Sequence, residues 1–170
     1  MKKLTILLLL LVFLTGCSSP AWETVNDPLP AQPVSWLTDV YQIETSLPPG
    51  VELLVQTDGW CVYSNQDGTM EVETRVFPAS DMASAVKVLS GYEEDRLNIL
   101  QTERFDMPEY QFAWVTQTEC GQRLSRADIV IDETACYAIV CSTLEQSGNA
   151  HAEDVRQVMA TFGLYTDEGV

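Results

Sequence analysis

Five cysteines, one histidine and 25 carboxylates are the side chains of this 170-residue chain with the chemistry to react or to bind metal. A thiol acts as nucleophile or ligand in its thiolate form, which needs a nearby base or cation. Cys61, Cys120, Cys136 and Cys141 include no C-x-x-C pair, and Cys136 and Cys141, with four residues between them, have no second close pair to complete a structural zinc site. His151 is adjacent to none of them and opens a helical pattern, so capping or solvent exposure suits it better than catalysis. Asp58, Asn65 and Asp67 gather hard oxygens of the kind calcium prefers. They lack the EF-hand order, however, and their glycine neighbours make them turn residues. No glycine-rich phosphate loop and no G-x-S-x-G elbow occurs. Among 25 acids no single pair is informative, and Glu93-Glu94-Asp95 reads as a solvated face. The expectation is a chain with no catalytic residue, no metal and no cofactor.

Cys17 has a different context. Lys2 and Lys3 are followed by an apolar run from Leu4 to Leu14, then by Leu14-Thr15-Gly16-Cys17 and the polar Ser18-Ser19-Pro20. Charge, grease and small residues in that order form an export signal. The run is too short to span a bilayer, which takes about 20 apolar residues. The motif resembles a bacterial lipobox. That resemblance implies cleavage after Gly16, acylation of Cys17 and a mature protein held on the extracytoplasmic side of a membrane by its lipid.

Loss of residues 1–16 removes Lys2 and Lys3 and no acid, so the formal charge of −16 becomes −18. Such a chain is repelled by nucleic acid, which is excluded as a partner, and by anionic head groups. The apolar fraction of 46% and the four tryptophans indicate a packed core rather than disorder. About 150 residues suit one domain.

Residues 17–36 hold Ser18-Ser19-Pro20, Asn26-Asp27-Pro28 and Leu29-Pro30-Ala31-Gln32-Pro33, the composition of a spacer. Trp22 and Trp36 within it are read as docked on the domain, with the lipid interface as the alternative. A single domain is expected over 37–165, followed by a tail over 166–170. In that domain, 53–56 and Trp60–Tyr63 read as strands around an Asp58-Gly59 turn. Asp67-Gly68 turns the chain again. Met70 to Phe77 alternates, with Met70, Val72, Thr74 and Val76 on one face. Ser80 or Asp81 caps a helix carrying Met82, Ala85, Val86 and Leu89, which Gly91 ends. Four strands follow, near Leu97–Gln101, Tyr110–Thr118, Gln122–Ile131 and Ala135–Thr143, with turns at Asp106-Met107-Pro108 and Cys120-Gly121. Ala152, Val155, Val158, Met159 and Phe162 then mark a closing helix. Strand runs with segregated helices predict an α+β domain. It is built on an antiparallel sheet of about six strands, with one helix after the second or third strand, a C-terminal helix, and both helices over one face or edge.

Four cysteines in an exported domain suggest disulfides. Cys136 and Cys141 share a strand at a separation of roughly 16 Å, beyond the reach of a bridge. Cys61 and Cys120 would therefore pair with Cys136 and Cys141, in either order. Buried free thiols are the alternative.

The order of elements, with Trp114 in a strand after the helix and the closing Val155-x-x-Val158-Met159-x-x-Phe162, resembles the fold of Mog1 and PsbP proteins. It is also similar to lipoproteins of Gram-positive gut bacteria with strands like Tyr110–Trp114 and Ser125–Ile129. The resemblance implies a binding or assembly module rather than an enzyme. The expected partners are membrane lipid through Cys17 and an envelope protein, surface polymer or small ligand, with Trp60, Tyr63 and Tyr92 as candidate contacts. The alternatives are a thiol-redox protein using Cys136 or Cys141, and a structural subunit of an envelope complex.

Overall fold

Ala135–Leu144 is apolar in almost every position, and that composition places it at the centre of the molecule. A strand with no polar face must be covered on both sides, and residues 135–141 of it are all buried. The computed structural model describes residues 29, 34–37, 41–133 and 135–166. The expected signal peptide 1–16, Cys17, the spacer up to Pro28, Trp22 and the tail from residue 167 lie outside the described residues.

The described strands are β1 (Gln42–Glu44), β2 (Val51–Thr57), β3 (Trp60–Asn65), β4 (Met70–Pro78), β5 (Leu100–Arg104), β6 (Met107–Thr118), β7 (Gly121–Asp132), β8 (Ala135–Leu144) and β9 (Gly163–Tyr165). The helices are α1 (Met82–Ser90) and α2 (Ala152–Ala160). The fold is α+β and antiparallel. Seven strands form one sheet in the order β2-β3-β4-β8-β7-β6-β5, and β1 pairs with β9 in a two-stranded ribbon. Helix α1 follows the third strand of the large sheet, as expected. It carries the chain from β4 across the sheet to the far edge at β5. The β5–β8 meander then returns, so that β8 closes against β4.

The two helices cover opposite faces, not one face. Ala85 and Val86 of α1 pack with Phe77, Phe112, Trp114, Ala127, Ile129, Cys136 and Ala138. Val158 of α2 packs with Cys61, Tyr63, Val72, Val76, Tyr137, Ile139 and Cys141. Alternate residues of β8 thus feed two separate cores, and that requirement explains its unbroken apolar run.

Local signals placed most elements. In β4, Met70, Val72, Thr74 and Val76 are buried beneath α2, Glu71, Glu73 and Arg75 between them are half-buried, and Phe77 is buried in the opposite core, the predicted alternation. Asp81 caps α1 by accepting from the Ser84 amide at 2.8 Å, and Gly91 ends it in the left-handed region at φ 77°. Gly59 also has positive φ, and a Cβ there would stand 2.5 Å from the Val76 carbonyl oxygen, so the β2–β3 turn admits no side chain at that point. Two boundaries differ from expectation. Leu97 and Ile99 pack against the α1 core ahead of β5, and the β5–β6 turn is Phe105-Asp106, both at positive φ (56° and 61°). A two-residue hairpin of matching twist demands that conformation, so Met107 and Pro108 fall inside β6.

The chain joins the domain ahead of residue 37. Leu29 is buried, and Val34 and Leu37 pack on the α2-side core. At the other end, Tyr165 pairs with Gln42 in the ribbon. Thr45 donates its hydroxyl to the Val158 carbonyl at 2.8 Å, fastening that ribbon to α2.

Candidate functional site

On the α2 side, β7 and the distal half of β8 lie beside the helix. Leu124 faces Thr143 and Arg126 faces Cys141 across the β7–β8 pair. With Gly148 and Asn149, which lead into α2, and with Ala152 and Val155 on it, they line a cleft of about 340 Å³, bordered also by Glu145. The helix covers Cys141 and Thr143 but leaves Leu124 exposed, and Val115 beside Leu124 is exposed as well. Arg126 makes no ion pair or hydrogen bond among the described residues, whereas Arg75, Arg104, Arg123 and Arg156 all engage acids. In so acidic a chain an exposed, unneutralised guanidinium beside an apolar cleft stands out. It offers five donors in a planar fork suited to a carboxylate or phosphate. The volume falls within the range of small-molecule sites.

A second polar group on the same side is closed. Glu109 (4% exposed) and Asp128 (1% exposed) lie on neighbouring strands inside the domain. Thr102 and Arg104 from β5 donate to Glu109, and Gln111 donates to Asp128 at 3.0 Å. The remaining Asp128 oxygen receives no donor, which suits an oxygen carrying a proton. Burial first, and then the neighbouring Glu109 charge, push Asp128 up to about 7. Burial also raises Glu109, but hydrogen bonds from Thr102, Arg104 and Asp128 outweigh it and hold Glu109 below its usual value. The pair thus keeps one proton on Asp128 and one charge facing Arg104. Arg104 reaches on to the Phe162 carbonyl at 2.7 Å and lies over the Phe162 ring. The cluster ties β5, β6 and β7 to the segment after α2. The two carboxyls themselves are buried, while Thr102 and Arg104 reach the surface.

No disulfide joins the described cysteines: Cys61, Cys136 and Cys141 are buried thiols and Cys120 is an exposed one. The sheet order is the reason. Cys61 is opposite Thr74, which is opposite Ile139, so Cys61 and Cys141 stand two strands and two residues apart, about 12 Å. A bridge needs about 7 Å or less. Cys136 points into the other core, and Cys120 sits at the β6–β7 turn, six residues along from the partner of Cys141, roughly 20 Å away. Burial raises the Cys61 thiol, the Cys136 thiol further, and the Cys141 thiol to about 12. These are unreactive at neutral pH.

His151 bridges Thr69 at 2.9 Å and Asp154 at 3.1 Å, fastening the start of α2 to the β3–β4 loop. Asp58 lies at one end of β3 and Asn65 and Asp67 at the other. Asp67 accepts from Thr69 and Asn65 from the Met70 amide, each within its own turn, whereas Asp58 accepts from Ser35 and ties the preceding segment to the β2–β3 turn. A Ser-x-x-Lys spacing does occur, at Ser84 and Lys87, but Ser84 donates to the Asp81 carbonyl and Lys87 pairs with Glu93. Of the candidate contacts, Tyr63 is buried, Trp60 is partly open, and Tyr92 is exposed with its hydroxyl on the Val115 carbonyl. The cleft residues were not foreseen. A signal for the acid pair was present, since Asp128 interrupts the apolar run Ala127–Ile131.

The first 18 residues match the model for the prokaryotic membrane lipoprotein lipid attachment site, and Cys17 is the single cysteine within them. The chain is therefore a membrane-anchored lipoprotein carrying an antiparallel α+β domain. No curated protein sequence matches it significantly. It is similar to a crystal structure from Bacteroides thetaiotaomicron at 14% identity and TM-score 0.51, over 75% of this chain and 46% of that one. That likeness concerns the fold, and this chain spans about half the length of that protein. It is also similar to the solution structure of cyanobacterial PsbP from Synechocystis (13% identity, TM-score 0.46, 77% of this chain and 96% of that one). A third is LpqN, involved in cell envelope biogenesis in Mycobacterium tuberculosis (9% identity, TM-score 0.49, 76% of this chain and 87% of that one).

Proposed function

We propose that this protein is a non-catalytic binding module, held by acylated Cys17 on the extracytoplasmic face of a membrane, and that its ligand occupies the cleft between α2 and β7–β8. The observation that carries this reading is Arg126, unpaired among the described residues and beside an apolar lining of Leu124, Ala152 and Val155. The ligand class is a small amphipathic molecule that presents an anionic group to Arg126 and an apolar part to the other three. The closed acid pair, the raised thiols and the structural engagement of His151 support binding over catalysis. The lipid would concentrate the domain at the surface where such amphiphiles gather.

Hexyl phosphate is a suitable probe, titrated calorimetrically against the full chain with inorganic phosphate and hexanol as controls. Hexyl phosphate should bind more tightly than either control. Loss of a charge-assisted contact makes Arg126→Gln weaker by about tenfold to a hundredfold. Equal affinity in the variant, or no binding at all, removes the cleft as the site.

A further inference from the structure

We infer that the β2 edge and its turn lie on the surface of the bilayer that holds the lipid anchor. The inference rests on acylation of Cys17 and concerns a surface well separated in the sheet order from the ligand cleft.

Strand β2 is the outermost strand on its side of the sheet, and positions 52–57 are all exposed. Three of them are Leu53, Leu54 and Val55, with Leu54 66% open. An unpaired edge bearing a contiguous apolar run is a liability that natural sequences normally blunt with charge or proline. Two tryptophans join the same corner. Trp60 opens β3 just past the Asp58-Gly59 turn, opposite Thr57. Ser35 bonds to both carboxylate oxygens of Asp58 through its amide and its hydroxyl, which brings Trp36, 42% exposed, to the same turn. Indole rings favour the head-group zone of a membrane.

The chain that follows the anchor passes this corner at Ser35 and Trp36. Eleven residues lie between Cys17 and Leu29, so at most about 40 Å of chain joins them. A domain this size has a radius of gyration near 14 Å, so the anchor holds it within about one molecular diameter of the lipid. Segment 29–37 is fixed to the domain at Leu29, Val34, Ser35 and Leu37. The apolar corner thus lies beside the chain that follows the anchor, at Ser35–Trp36. Glu52 and Asp58 are the acids of β2 and its turn, and there is no lysine or arginine on either. Contact is thus interfacial and apolar, and a neutral head group suffices.

The test uses lipidated full-length Trp22→Phe protein in phosphatidylcholine vesicles brominated on their acyl chains. Flotation reads the anchor, and bromine quenching of tryptophan reads docking. Trp114, buried on Phe112, is the internal reference. The expected result is flotation with loss of Trp36 and Trp60 emission. Trp22→Phe/Trp36→Phe/Trp60→Phe should float unquenched. Leu54→Glu in the Trp22→Phe background changes an open position that the fold does not need, and should float with less quenching. Flotation without quenching overturns docking and leaves the anchor. Failure to float overturns both. Unquenched tryptophans with β2 cross-linked to a second copy give the edge to self-association and overturn the membrane as its occupant.

Discussion

Asp128 shows how one side chain can tie the domain's stability to pH. Its carboxyl titrates near 7 in the folded protein and near 3.9 in an unfolded chain. Between those values the unfolded chain has released a proton that the folded one still holds. Stability therefore falls as pH rises from about 4 to about 7, and levels off above that. Glu109 is shifted the opposite way, so its contribution is present above its unfolded value and lost at lower pH. Asp128→Asn keeps a donor for Glu109 and removes the titration. The gain in melting temperature of this variant over wild type should be small at pH 4 and larger at pH 8. A gap that does not change with pH would show that Asp128 is ionised in the fold.

Phe105 exposes a cost at the level of an element. The β5–β6 hairpin needs two consecutive residues at positive φ, and Phe105 occupies the first. Its ring is exposed, so packing does little to offset a left-handed conformation that costs a non-glycine residue about 1–2 kcal/mol. Asparagine tolerates that region because its side chain bonds to the local backbone. Phe105→Asn should raise stability by about 1 kcal/mol, read as a higher denaturant midpoint at unchanged slope. An unchanged or lowered midpoint would mean that the ring contributes packing the exposure does not show. Among the other described turns no such conflict occurs: Gly59, Gly68 and Gly91 supply the positive φ their positions require.

For the whole molecule, lipid and thiols can be read together in one mass spectrum. Protein taken from host membranes should begin at Cys17 and carry acyl chains. Iodoacetamide should add one group to the native protein, at exposed Cys120. Without reductant, unfolding should release all four thiols for alkylation, because Cys61, Cys120, Cys136 and Cys141 are free. Rapid native labelling at Cys136 or Cys141 would revive the thiol-redox alternative. Labelling that requires a reductant would mean the strand positions differ from those found here.

Much of this was legible along the chain because it depends on near neighbours. The period-two alternation of β4, the cap at Asp81, the glycine stop at Gly91, the closing apolar stripe of α2 and the Leu14–Cys17 motif each use residues within a few positions of one another. The antiparallel α+β class follows from their order. What no local window contains is which strands become neighbours. β4 and β8 are joined through pairs such as Val72 with Cys141, 69 positions apart. That one pairing sets the rest: two cores on opposite faces, thiols out of mutual reach, Glu109 and Asp128 closed in with Arg104, and Arg126 left at the rim of a cleft. Each depends on the energy of burying side chains from distant segments together, and a strand's own pattern reports that it has a buried face without reporting what will cover it.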